Sequence, residues 1–199
     1  AAVLFLVPGV PLIDAFEAER PWSAIGRATS AIDPNGHAGA CMHLRFGVES
    51  DASFAIVQGP NDLASAAWEA GVPPGTNAFV LQARASRPID LQIVLRVRER
   101  GVAGPQGVWG HLRASLQITS AEWQPYAVPF AAFSGDPGVG TVGDRLFRTF
   151  HPQPQFHAAV APGTGAVDAW VDELAFGIIT QAVLPDAAVP RPGDRHSGV

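Results

Sequence analysis

Ile89-Asp90-Leu91-Gln92-Ile93-Val94-Leu95-Arg96-Val97-Arg98 is the stretch on which the fold turns. Ile89, Leu91, Ile93, Leu95 and Val97 share one parity, and Asp90, Gln92, Arg96 and Arg98 the other, with Val94 the exception. Side chains alternate across a strand, so this pattern predicts a β-strand with one dry and one wet face. Phe79, Leu81 and Ala83 set against Gln82 and Arg84 predict a second strand just before it, with Ser86-Arg87-Pro88 as a hairpin turn between the two. Leu112, Ala114, Leu116 and Ile118 against His111, Arg113, Ser115 and Gln117 predict a third. Three amphipathic strands in succession point to an antiparallel sheet.

The same alternation recurs outward in both directions. Ile13 to Glu17, Met42 to Phe46, Phe54 to Val57 and Val167 to Thr180 read as further strands, and Asp33-Pro34-Asn35-Gly36 as a turn. Asn61 to Ala70 reads as one helical turn, closed by Gly71-Val72-Pro73-Pro74-Gly75. Residues 134–166, rich in Gly, Pro and His, read as the longest loop region. Short strands separated by turn residues fit an all-β protein, a jelly-roll β-sandwich of two antiparallel sheets. The expected organisation is an apolar segment over 1–11, the sandwich over 12–180 and a flexible tail over 181–199.

Composition narrows the function classes. The hydrophobic content of 47% can build a core, and the 21 Gly and 18 Pro residues, without a period, mean many turns. A net charge of −5 argues against binding a phosphate backbone, which needs a basic stripe. All 13 basic residues are Arg, whose forks suit bidentate contacts. Cys41 is the only cysteine, so no intrachain disulfide forms; its setting suggests a small buried hydrophobe. The run Ala1 to Ile13 is too short for a membrane-spanning helix and is broken by Pro8 and Pro11. It reads either as a first strand or as the end of a signal or anchor segment. The second reading makes the protein exported, periplasmic or extracellular, with membrane attachment through the N-terminus as an option.

Several stretches in order resemble the galactose-binding-like jelly rolls of carbohydrate-binding modules, and the similar domain of the complex I intermediate-associated family. They are Leu12-Ile13-Asp14-Ala15-Phe16-Glu17 with Trp22, Ala78 to Arg84 running into Ile89–Val97, Trp123 to Phe130, and Trp170-Val171-Asp172-Glu173-Leu174-Ala175-Phe176. Asp172 shares parity with Trp170, Leu174 and Phe176, and Asp14 with Phe16, so both acids are expected against apolar surface. That is costly unless they are paired or metal-bound. The resemblance implies a structural Ca²⁺ held by Asp14, Glu17 and Asp172, with Glu173 as helper. Pairing with Arg, or reaching solvent, is the alternative.

For ligand binding, the wet faces offer His43, Arg45, Gln82, Arg84, Gln92, Arg96, His111, Arg113 and Gln117, planar groups that grip hydroxyls or carboxylates. Trp170 and Trp123 read as core; Trp68 and Trp109, in or beside loops, are candidates to stack on a sugar ring. The candidate ligand-binding set is thus Arg45, Trp68, Arg84, Gln92, Arg96, Trp109 and Arg113. No nucleophile elbow, zinc-protease motif or phosphate loop is present. His111, His151 and His157 have poor spacing for a metal, and Asp168 and Asp172 lack a facing partner for hydrolysis. The leading expectation is therefore non-catalytic recognition of a glycan. An interaction subunit of a membrane-associated assembly, bound to other protein subunits, is the alternative, and a polysaccharide-active enzyme the third.

Overall fold

The computed structural model of the chain describes residues 2–5, 12–17, 22–50, 52–60, 74–98, 109–135, 153–159 and 165–181. Within them run strands β1 (Ala2–Phe5), β2 (Leu12–Asp14), β3 (Ser23–Gly26), β4 (Ala28–Asp33), β5 (Cys41–Phe46), β6 (Ala55–Gln58) and β7 (Ala78–Ala85). They continue with β8 (Ile89–Arg98), β9 (Trp109–Ile118), β10 (Gln124–Pro129), β11 (Ser134–Gly135), β12 (Gln153–Ala158) and β13 (Val167–Gln181). The helix expected over 61–70 lies outside the described residues; among these a single 3₁₀ turn, Phe130–Ala132, is helical.

The strands form two antiparallel sheets. One has the order β10-β7-β13-β5-β4, with β1 and β2 also paired to β13; the other is β11-β9-β8-β12-β6-β3. Between them lies the core, with Leu44 and Phe46 of β5, Phe79 and Leu81 of β7, Leu91 and Leu95 of β8, Leu112 and Leu116 of β9, and Phe156 of β12. These are the dry-face residues of the amphipathic strands. Burying an apolar side chain of this kind stabilises by about 1.5–3 kcal/mol before entropy is counted. β1 pairs with Ile178–Gln181 at the end of β13.

Ser86-Arg87-Pro88 does not close a hairpin. β7 belongs to the β13 sheet and β8 to the other, so the short connection crosses from one sheet to its neighbour. Ser86 N–H still donates to Asp168 O of β13, while Ala85 N–H donates to Ser120 O, just beyond β9 of the other sheet. Pro88 has no N–H to give to a hairpin ladder. Alternation survives such a crossing, because the core lies between the sheets and either sheet turns the same parity inward. Of the three long strands, β8 and β9 are true neighbours, paired from Ile89–Ile118 to Arg98–Trp109.

Residues 134–166, expected as loop, contain β12, paired on one side with β8 and on the other with β6. The proline at its second position, Pro154, did not prevent it; Gly59 N–H donates to its carbonyl.

Candidate functional site

Two wet faces point in opposite directions. On the β13 sheet, planar side chains stand side by side across neighbouring strands. The imidazole of His43 (β5) lies parallel to the indole of Trp170 (β13), 4.9 Å away with 8° between planes. The guanidinium of Arg84 (β7) lies 4.6 Å from the Trp170 ring and 5.1 Å from that of Trp123. Its Nε–H is buried without an acceptor, so ring faces carry part of its solvation. Trp170 Nε1 donates to Asp33 Oδ2 at 3.1 Å, and His43 Nε2 lies 2.8 Å from Asp168 Oδ1. Arg45 Nη1 approaches the same oxygen at 3.6 Å. N–H groups of Asn35 hold the Asp33 carboxyl below its ordinary range, the backbone one foremost.

Trp170 and Trp123 are therefore not core residues. β13 carries an irregularity between Asp172 and Ala175, where Glu173 takes a positive φ of 50°. Before it, Val167, Ala169 and Val171 face the core; after it, Leu174 and Phe176 do. A bulge inserts one residue and so exchanges the faces. Parity counted back from Leu174 and Phe176 wrongly placed Trp170 inside.

The acids expected to hold Ca²⁺ are met by N–H donors. Asp14, 3% exposed, accepts from Phe16 N–H and from Trp22 Nε1, both at 2.8 Å. Asp172, 1% exposed, accepts from the backbone N–H groups of His37, Ala38 and Glu173 at 2.7–3.1 Å. Glu17 Oε1 accepts from Ala40 N–H at 3.0 Å, and Glu173 Oε2 lies 2.8 Å from His37 Nδ1. Among the described residues no three His, Cys, Asp or Glu side chains converge as metal ligands. These N–H donors supply the compensation that a buried carboxylate needs, so neither Asp14 nor Asp172 requires a cation to be buried.

On the β8 sheet the outer face is a grid set by strand register. Ile56, His157, Gln92 and Ser115 stand opposite one another across β6, β12, β8 and β9. Gln58, Gln155, Val94 and Arg113 form the next row, and Gln153, Arg96 and His111 the one after. Over the first row lies a cleft of about 330 Å³, lined by Phe54, Ile56, Asp90, Gln92, Ser115 and His157 among others. Phe54, expected within a strand, is 48% exposed just ahead of β6 and supplies aromatic surface to the cleft. Gly26, with a positive φ of 72°, makes room for it: a Cβ there would run into the Phe54 ring and carbonyl. Asp90 Oδ1 accepts from Gln117 Nε2 at 2.9 Å. The His157 imidazole is held down to a pKa of about 4, chiefly by burial and then by the positive charge of His111 and Arg113.

The expected ligand-binding residues thus divide between opposite faces. Arg45 and Arg84 lie on the β13 sheet, Gln92, Arg96 and Arg113 on the β8 sheet, and only Gln92 lines the cleft. Trp68 lies outside the described residues, as does the side chain of Trp109. Phe54, Asp90, Ser115 and His157 went unrecognised as a group. A signal was available: Gln153, Gln155 and His157 alternate with Pro154, Phe156 and Ala158, a period of two inside what read as loop.

No protein-family model matches the chain, and no curated protein does. Solved structures share its fold. A family 11 carbohydrate-binding module from Clostridium thermocellum, in complex with a β-1,3-1,4-mixed-linked tetrasaccharide, superposes with a TM-score of 0.55 at 15% identity, covering 84% of this chain and 95% of that one. The solution structure of the module CtCBM11 gives 0.59 at 14% identity, over 88% and 100%. The family 30 module of a cellulosomal cellulase of Clostridium thermocellum gives 0.53 at 11% identity, over 87% and 98%. The fold is the jelly-roll β-sandwich of carbohydrate-binding modules.

Proposed function

We propose that this protein recognises a glycan without cleaving it, and that the saccharide lies in the cleft on the outer face of the β8 sheet. One observation carries the reading: exposed Phe54 faces a cleft whose other walls are Asp90, Gln92, Ser115 and His157. A sugar ring presents C–H surface on one side and hydroxyls around its edge. An aromatic wall beside a carboxylate, an amide, a hydroxyl and an imidazole offers a partner to each. The solved structures of this fold described above include a module in complex with a mixed-linked tetrasaccharide, which supports the same class of ligand. Export to the periplasm or the cell exterior accords with a protein that meets polysaccharide there; fractionation of cells expressing the full-length gene tests it.

Isothermal titration with the β-1,3-1,4-mixed-linked tetrasaccharide tests the site itself. Phe54→Ala and Gln92→Ala should each weaken binding about tenfold, the loss of a contact worth roughly 1.4 kcal/mol. Arg45→Ala, on the opposite face, should leave it unchanged. No heat of binding to this or other soluble glucans and xylans at millimolar concentration would sink the proposal.

A further inference from the structure

We infer that the cleft selects uncharged saccharides through His157, which keeps its proton on Nε2 and offers Nδ1 as an acceptor to a sugar hydroxyl, because a one-way chain of amides behind it fixes that tautomer. The inference rests on the glycan reading of the same cleft.

The chain starts at a group that can only accept, the carbonyl of Gly59. Gln153 Nε2 donates to it at 2.8 Å, so the oxygen end of the Gln153 amide is turned the other way. Gln155 Nε2 donates to that Oε1 at 3.2 Å and approaches Gln58 Oε1 at 3.4 Å. The Oε1 of Gln155 is thereby turned to His157, whose Nε2 lies 2.7 Å away. An amide oxygen needs a donor, so Nε2 carries the hydrogen; a neutral imidazole then has Nδ1 as its acceptor. Gln153 and Gln155 are both buried. Reversing the chain would set oxygen against oxygen at Gly59 and leave a buried carbonyl unmet, which loses the hydrogen bond that compensates its burial.

Burial above all, and then the charges around the ring, keep it neutral. His111 and Arg113 on β9 oppose its protonation. On β8, Asp90 lines the cleft but is engaged by Gln117, and Arg96 stands opposite Gln153, away from His157. β6 turns only Ile56 and Gln58 to this side, and neither titrates. A lone-pair acceptor and a carboxylate in one cleft both welcome hydroxyl hydrogens and both repel an anion. The site therefore favours neutral glucan or xylan chains over uronic acid chains.

The test combines proton placement with binding. Long-range ¹H–¹⁵N spectra of ¹⁵N-histidine-labelled protein should show His157 as the Nε2–H tautomer, titrating near pH 4. Gln155→Leu should abolish the tautomer preference and weaken tetrasaccharide binding about tenfold, with unchanged circular dichroism. Gln155→Glu should raise the pKa of His157, so that binding lost at neutral pH returns as pH rises; a merely structural role would not restore it. Oligogalacturonate should bind at least tenfold more weakly than the tetrasaccharide. A wild-type Nδ1–H tautomer, ordinary titration near 6.5, full affinity in Gln155→Leu, or preference for the uronate each overturns the inference and leaves the glycan reading standing. The stated tautomer with no saccharide bound overturns the glycan reading, and with it the role given to Nδ1.

Discussion

Trp22 Nε1 donates to Asp14 Oδ2 at 2.8 Å, tying the end of β2 to the residue that leads into β3. The indole lies 5.9 Å from the Phe156 ring and 5.6 Å from that of Phe16, so one side chain serves both as core and as donor to a buried acid. Trp22→Phe keeps most of the packing and removes the donor. Urea denaturation should show it about 1–3 kcal/mol less stable, the cost of taking a partner from a buried polar group. A change under 0.5 kcal/mol would mean water replaces the indole N–H at no loss.

Calcium should have little influence on the fold. The N–H groups on Asp14 and Asp172 already compensate the burial of both carboxylates, so the fold does not need a cation there. The melting midpoint is expected to be the same in EDTA as in millimolar Ca²⁺. A rise of several degrees with Ca²⁺, reversed by chelator and absent in Asp172→Ala, would restore the metal site implied by the family resemblance.

Gly26 couples backbone shape to the cleft. Its φ of 72° and the nearness of Phe54 leave no room for a Cβ, and Arg27 N–H holds the Phe54 carbonyl at 2.7 Å. Gly26→Ala should move Phe54, costing about 1–3 kcal/mol of stability and weakening saccharide binding together. Gly75 also has a positive φ, of 89°, yet the nearest atom to a Cβ there is 4.0 Å away. Gly75→Ala should therefore affect stability modestly and binding not at all, as a titration of both variants would show.

His157 makes stability depend on pH. Its ordinary pKa is 6.5 and its folded value about 4, so between these values the unfolded chain binds a proton that the folded chain refuses. That contribution is complete above 6.5 and falls as pH drops toward 4. Chemical denaturation at steps across this window should give a shallower slope in His157→Gln than in wild type. Equal slopes would place the acid sensitivity on other groups.

Cys41 should be chemically silent in the native state. The thiol is fully buried, and burial, followed by the charges of Asp33 and Asp172, pushes its pKa up to about 12. Thiolate is the reactive form. Iodoacetamide at pH 8 should label the protein only in step with unfolding, making the single cysteine a probe of global opening. Fast labelling without denaturant would contradict the burial.

The sequence by itself determined the class of fold. Alternation in β5, β7, β8 and β9 names the inward side chains, and Leu44, Leu81, Leu91 and Leu112 are all where parity puts them. Cys41 is buried as its setting suggested. Tertiary structure alone decided how those strands are shared out. A short connection can close a hairpin or cross to the other sheet with identical alternation, and so Arg84 and Gln92, neighbours in the chain's pattern, look in opposite directions. Nor does parity survive a bulge: one residue with positive φ, Glu173, carried Trp170 from its expected core position to the wet face. The cleft needed both pieces of information, because Phe54, Gln92, Ser115 and His157 come from separate stretches of chain and meet only through the register of β6, β12, β8 and β9. Period two records a side chain's face, whereas a site depends on which strands are neighbours, and that is settled by long-range pairing that no local pattern contains.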